Sequence, residues 1–333
     1  MPKILEVDNL VKRFGEYEAV KGVSFAVDEG EVFGLLGPNG AGKTTTISML
    51  TGILAPSSGT ARIGGHDILK EPGAVKKMNG LVPQDLALYP TLSARANLSF
   101  FGSIYGLRGK ELRERVDDVL RIVALSDRAD GVVDKFSGGM KRRLNIAAGL
   151  VHQPRLLFLD EPTVGVDPQS RNQIFESVLR LNRERGMSII YTSHYMEEVE
   201  HLCNRVAIID GGKIIALDTV KNLINMLGGG VIYVGVSQVN DELLKKLAAL
   251  QAVGGVSLVP REPAATAQRP EPATAAGYSA GEMVKVVAKQ SQQALLDVIN
   301  LITESGLSIT SLEILQPNLE SVFLHLTGKK LRE

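Results

Sequence analysis

The stretch Gly37-Pro38-Asn39-Gly40-Ala41-Gly42-Lys43-Thr44 fits the pattern G-x-x-x-x-G-K-[ST]. It follows the apolar run EVFGLLG, residues 31–37, and opens a helical pattern, so it reads as strand, glycine-rich loop and helix in succession. Glycines let the backbone wrap closely around an anion, with its N–H groups and the helix N-terminus turned toward phosphate. Lys43 is placed to neutralise β- and γ-phosphate oxygens, and the Thr44 hydroxyl to ligate Mg²⁺. Gly37, Asn39, Gly40, Gly42 and Thr45 complete the candidate nucleotide-binding set around them.

Further along, Leu156-Leu157-Phe158-Leu159-Asp160-Glu161 reads as a buried strand that ends in two carboxylates. Asp160 suits the Mg²⁺ shell, and Glu161 suits the base that polarises an attacking water. Two more buried strands are expected at residues 188–192 (SIIYT) and 206–210 (VAIID). His194 follows the first of these, which should lie beside the Asp160 strand, and from there it can donate to a γ-phosphate oxygen. Short buried runs alternate with amphipathic segments from Ile4 to about Leu223, which predicts α/β with a largely parallel sheet. Residues 91–150 read as helical, with Leu112, Val116, Val119, Leu120 and Val123 on one apolar face. Inside that span, KFSGGMKRR (135–143) presents a second anion-binding helix start at Ser137, Gly138 and Gly139, with nothing local for it to hold.

A compositional break at Gly228-Gly229-Gly230 divides the chain into residues 1–227 and 228–333. The second part reads βαββαβ: strands at 231–236, 256–259, 283–288 and 307–315, helices at 241–250 and 292–304, and a last helix at 319–326. That order predicts a smaller α+β ferredoxin-like domain. The Pro- and Ala-rich segment 260–277 cannot cover a core and is expected as a flexible surface loop. Lys plus Arg (37) balance Asp plus Glu (37), so there is no overall basic field and no nucleic-acid partner is expected. The lone Cys203 excludes an intramolecular disulfide and is given no chemistry. Neither a signal peptide nor a membrane span is read, so work on a membrane would go through a docked polypeptide.

Taken in order, these motifs resemble the ATP-binding subunit of an ABC transporter over roughly residues 4–227. The resemblance implies a P-loop cassette with a mixed-sheet core, an antiparallel β subdomain and a helical subdomain. It places Phe14 where an aromatic stacks on adenine, Gln84 on a loop that touches Mg²⁺ and the attacking water, and Asp167 on a loop that crosses a dimer interface. It assigns Glu161 and His194 as catalytic glutamate and switch histidine, and Ser137 to Gly139 as the signature that binds the γ-phosphate held by a second molecule. Met140 stands where the signature most often has Gln, and Ala96 where relatives commonly carry Glu. ATP, Mg²⁺, a homodimer or a paired similar subunit, and an integral membrane permease follow as implied partners. The place of action would be the cytoplasmic face of the cell membrane, with Leu86, Leu88 and Tyr89 as a permease-docking patch. The sequence around Asn318 to Thr327 resembles export subunits of the daunorubicin-resistance type, which makes export the expected direction. The other reading is a non-transport ABC ATPase acting on ribosomes or DNA. Proteins of that kind usually carry two cassettes or a long coiled-coil insertion with basic surfaces, and this sequence has neither.

Overall fold

Three parallel strands carry the residues that matter most. In the computed structural model, which describes residues 2–260, 282–315 and 317–327, strand Val32–Leu36 pairs with Ser188–Ser193, and that strand pairs with Leu156–Asp160. Registers of Leu36 opposite Ser193 and Asp160 opposite Thr192 bring their carboxyl ends level. Loops leaving such ends converge, which is where open α/β sheets place ligands. Asn79–Val82 extends the sheet in parallel on one side, and Arg205–Asp210 with the antiparallel Lys213–Thr219 on the other. The central strands are buried along their whole length, as near-continuous apolar sequence requires.

A second sheet, antiparallel, takes the order Tyr17–Asp28, Lys3–Phe14, Ser58–Ile63, His66–Asp67. Residue pattern alone pointed to the parallel sheet; this one is the antiparallel subdomain that the family resemblance implied. One apolar core joins both sheets, with Leu5, Leu10 and Val20 packing in the same cluster as Phe33, Leu35 and Phe158. Between them lies helix Lys43–Leu50. Its sequence KTTTISML opens with β-branched residues that favour helix weakly. Burial of Ile47, Met49 and Leu50 in the shared core holds it instead.

The expected helical span divides into Ala94–Ile104, Gly109–Ile122 and Gly138–Leu150, with single 3₁₀ turns between the last two. Gly106 and Gly109, both at positive φ, break it after the first helix. Val116, Val119, Leu120 and Val123 are buried as the periodicity predicts.

Contacts divide the chain into two compact units, the second beginning at Lys221 rather than at the glycine run. The short helix Val220–Asn225 therefore belongs mostly with the second unit; Gly228 and Gly230, at positive φ, mark a bend rather than the division. In that unit the strand order is Val253–Pro260, Glu282–Ala288, Val231–Val236, Ile309–Leu315, all antiparallel. This is the ferredoxin-like order, with helices Asp241–Ala248 and Ser291–Glu304 packed through Leu243, Leu247, Ala294, Val298 and Ile302. Helix Leu319–Thr327 buries Leu319, Val322 and Phe323 within this one chain, so that apolar face needs no second copy to cover it. The loop expected over 260–277 lies, beyond residue 260, outside the described residues.

Candidate functional site

Lys43, the first residue of its helix, is 4% exposed and directs its ammonium into its own loop, donating to the carbonyls of Gly37 at 2.7 Å and Pro38 at 3.2 Å. It also pairs with Glu161 Oε1 at 3.0 Å, and Glu161 is 5% exposed. The other oxygen of that carboxylate, Oε2, lies 3.1 Å from His194 Nδ1. A carboxylate accepts there, so Nδ1 carries the proton, and Nε2 can donate in addition only as the imidazolium. Lysine, glutamate and histidine thus form a line across the ends of three adjacent strands.

The loop can be this tight because of two glycines. Gly42 caps the helix at φ 104°, in the left-handed region, and a Cβ there would stand 2.8 Å from the Ala19 carbonyl. A Cβ on Gly37 would collide with the carbonyl oxygen of Ile209.

Asp160 is buried and accepts from Thr192 Oγ1 at 2.7 Å, with the Thr44 hydroxyl nearby. Burial pushes its carboxyl above the ordinary aspartate range; the two hydroxyls oppose that shift. Thr192 also accepts from the Glu161 N–H at 2.9 Å. That bond secures the Glu161 backbone in the left-handed region, φ 46°, uncommon outside glycine. Thr192 therefore fixes both carboxylates, a role hidden in the sequence because the residue reads simply as the end of a strand.

For Mg²⁺ the donors fit: Thr44 and Asp160 offer hard oxygen ligands near one another. Among the described residues no group of three or more His, Cys, Asp or Glu could hold a metal alone. Two protein oxygens plus substrate phosphates match the way Mg²⁺ is usually bound. Gln84 is exposed and is held through its backbone, its carbonyl accepting from Arg142 at 2.7 Å. Arg142 and Asn145 lie on helix Gly138–Leu150 and grip the Gln84 loop, Asn145 Oδ1 accepting from the Ala87 N–H at 3.1 Å. Sequence reading missed this link between the Ser137 helix and the Gln84 loop. Arg142 looked like one of three basic residues, yet it is buried.

Ser137 caps its helix, accepting from the Met140 N–H at 3.2 Å. Gly139 abuts Ser170, and Asp167 caps the neighbouring helix Pro168–Arg185. Among the described residues, no hydrogen bond or ion pair joins Ser137, Gly138 or Gly139 to Lys43, Glu161 or His194. Phe14 is 49% exposed at the end of its strand, under the Lys12 ammonium at 5.2 Å. Asn97, beside Ala96, is buried and clamps the Tyr89 backbone in both directions, at 2.8 and 3.0 Å. Cys203 is buried, and burial pushes its thiol far up, which leaves it unreactive.

The profile of the ABC transporter family matches residues 20–164. The linearmycin resistance ATP-binding protein LnrL of Bacillus subtilis is 46% identical over 331 residues, covering 99% of this chain and 100% of its own. The daunorubicin resistance ATP-binding protein DrrA3 of Streptomyces coeruleorubidus is 35% identical, covering 98% of this chain and 97% of its own. Among solved structures, cbiO1 of Clostridium perfringens, part of an ABC transporter complex, superposes with TM-score 0.62 at 30% identity, over 68% of this chain and 95% of that one. The ATP-binding cassette MJ0796, solved as a dimer in a post-hydrolysis state with ADP and phosphate, gives TM-score 0.59 at 25% identity, over 65% and 98%. With the loop, the strand-end carboxylates and the histidine assembled on one sheet edge, and with full-length kinship to export ATPases, this chain belongs to the ATP-binding subunits of ABC transporters of the drug-exporter type, which hydrolyse ATP to power export.

Proposed function

We propose that the site works as half of a two-chain ATPase and that Lys43, Glu161 and His194 are its working groups. The observation that carries this reading is the Lys43–Glu161–His194 line beside Thr44 and Asp160. Phosphates entering the loop compete with the Gly37 and Pro38 carbonyls and with Glu161 for the Lys43 ammonium. When Lys43 moves to phosphate, Glu161 Oε1 is released to accept a proton from water, while His194 still orients Oε2. Thr44 and Asp160 would hold magnesium, with Gln84 on the neighbouring loop, and the ion would supply positive charge to offset that of the phosphates. Phe14 supplies an exposed ring for adenine.

Ser137 to Gly139 of a second copy, or of a similar subunit, complete the site from across a dimer, with Asp167 at the crossing. The dimeric state of MJ0796 supports this arrangement. We further place the protein on the cytoplasmic face of the cell membrane, docked on an integral permease through Leu86, Leu88 and Tyr89. Leu86 and Tyr89 are exposed, and Phe100 packs edge-on against Tyr89 at 4.9 Å to extend that apolar surface. No helix among the described residues is long and apolar enough to cross a membrane, and we assign the path to that separate permease. The cargo class that the relatives support is an antibiotic-like molecule, because LnrL and DrrA3 are resistance proteins. The unit that begins at Lys221 is an accessory domain, and the two relatives' matches run through it.

The test is Glu161→Gln. Hydrolysis is expected to fall by about 10²–10³-fold, while ATP and Mg²⁺ now trap a stable dimer on size-exclusion chromatography. Hydrolysis at the parental rate removes Glu161 from the role, and an ATP-bound monomer removes the two-chain site.

A further inference from the structure

One buried carboxylate has no part in the scheme above. Glu198, on helix Met196–Leu202, is 2% exposed. Its Oε2 accepts three hydroxyls: Thr163 at 2.8 Å, Tyr191 at 2.9 Å and Ser193 at 2.9 Å. Each comes from a segment of the site. Thr163 follows Glu161, Ser193 precedes His194, and Tyr191 lies between the site strands, its phenol held up and neutral by burial and by the Glu198 charge. The other oxygen, Oε1, is buried with no hydrogen-bond partner among the described residues, and so is Arg171 Nε; the two stand 3.7 Å apart. Arg171 is one turn into the helix that Asp167 caps, and its guanidinium lies 5.7 Å from the centre of the Tyr195 ring, next to His194. Glu198 Oε1 and Arg171 Nε form a long ion pair without a hydrogen bond, so a buried donor and a buried acceptor face each other just beyond hydrogen-bond range and part of their desolvation cost is unmet. A small shift of the Asp167 helix closes that gap.

We propose that Glu198 is a positioning residue that couples the Asp167 loop to His194: engagement of Asp167 at the dimer interface draws Arg171 onto Glu198 Oε1, and Glu198 in turn sets Ser193 and Thr163 on either side of the His194–Glu161 pair. This rests on the two-chain reading, since the interface is what moves Asp167. Glu198 touches neither nucleotide nor water in this account. Its effect appears in turnover and not in nucleotide affinity.

The experiment is a double-mutant cycle on the full chain with Glu198→Gln and Arg171→Gln, reading kcat, KM, equilibrium ATP binding, thermal midpoint and ATP-driven dimerisation. Each single change is expected to lower kcat about tenfold, with KM and ATP affinity within about twofold. The double variant should lose no more than either single, and Arg171→Lys should recover most of the loss. Arg171 is partly exposed, so its variants report even if Glu198→Gln folds poorly. Unchanged kcat in Arg171→Gln, or losses that multiply in the double variant, overturns the coupling. A rise in KM with an unchanged kcat also overturns it, as does a loss that merely tracks thermal midpoint. If the parent protein itself fails to dimerise on ATP, it is the two-chain reading that falls; if the parent dimerises and the pair does not couple, only this inference does.

Discussion

The chain carries two glycine-rich helix starts, and they are built oppositely. At Lys43 the helix begins inside the core: the lysine is buried, three local partners engage its charge, and catalytic carboxylates stand within reach. At Ser137 the helix start is capped by its own serine, and no cation or carboxylate of the catalytic line bonds to it. Both offer backbone N–H groups to an anion. Only the first also has a buried cation and a carboxylate beside it. A helix N-terminus is thus a place for phosphate, and the surrounding tertiary contacts decide which other groups stand beside it.

Mixing variants tests that asymmetry most severely. Lys43→Ala and Ser137→Arg, each alone, should bring hydrolysis to background, because on the two-chain reading each homodimer lacks one component at both sites. Mixed together, they form dimers in which one site keeps an intact lysine loop and an intact signature, so ATPase activity should return. No recovery in a mixture shown to contain heterodimers would mean that the two starts do not meet across chains.

A smaller effect separates the two starts by their neighbours. Gly37→Ala drives a methyl into the backbone carbonyl of Ile209, which cannot turn aside, and should cost about 1–3 kcal/mol in denaturant unfolding. Gly138→Ala meets open space, with no heavy atom within 4 Å of the added methyl, and Ala is the better helix former by about 1 kcal/mol. Its stability should stay near parental while hydrolysis falls, since on the two-chain reading the added methyl stands where phosphate held by a partner would approach. Equal destabilisation by both would refute the distinction.

The smallest effect lies away from both helix starts, where Asp118 on helix Gly109–Ile122 meets Arg185 of the core helix in a two-pronged pair, 2.8 Å at each contact. Arg185 holds the Asp118 carboxyl below the ordinary aspartate range. A depressed folded-state value means the pair's stabilisation is present above the unfolded value of 3.8 and is lost as pH falls through the lower, folded one. Asp118→Asn should remove about 1 kcal/mol or less at neutral pH, solvent screening being strong at a partly exposed pair, and should flatten that acid-side loss. An unaltered acid limb in the variant would show that the pair contributes nothing there.

Much of this was legible in the residues. The glycine-rich loop, the strand ending in Asp160 and Glu161, and the βαββαβ order of the second unit are local patterns, and spacing along the chain carries them. Parallel pairing placed His194 beside Glu161, as the run of buried strands predicted. The antiparallel sheet was less visible from pattern, because its long first strands are irregular: register shifts interrupt the pairing of Lys3–Phe14 with Tyr17–Asp28. The second unit starts at Lys221 because contacts, not glycines, define it.

The sequence by itself determined the chemistry available: a lysine and a threonine on a phosphate loop, two carboxylates at a strand end, a histidine after the neighbouring strand, and a second helix start with no charge partner of its own. Only the tertiary structure decided how those groups are held. It put Lys43 between its own loop carbonyls and Glu161, made Thr192 the common anchor of Asp160 and Glu161, tied the Ser137 helix to the Gln84 loop through Arg142, and left Glu198 facing Arg171 across a short gap. The physical reason is range. Pattern along a chain encodes backbone conformation over a turn or a strand, whereas a buried hydrogen bond between residues 31 or 58 positions apart exists only once the sheet has brought its ends together.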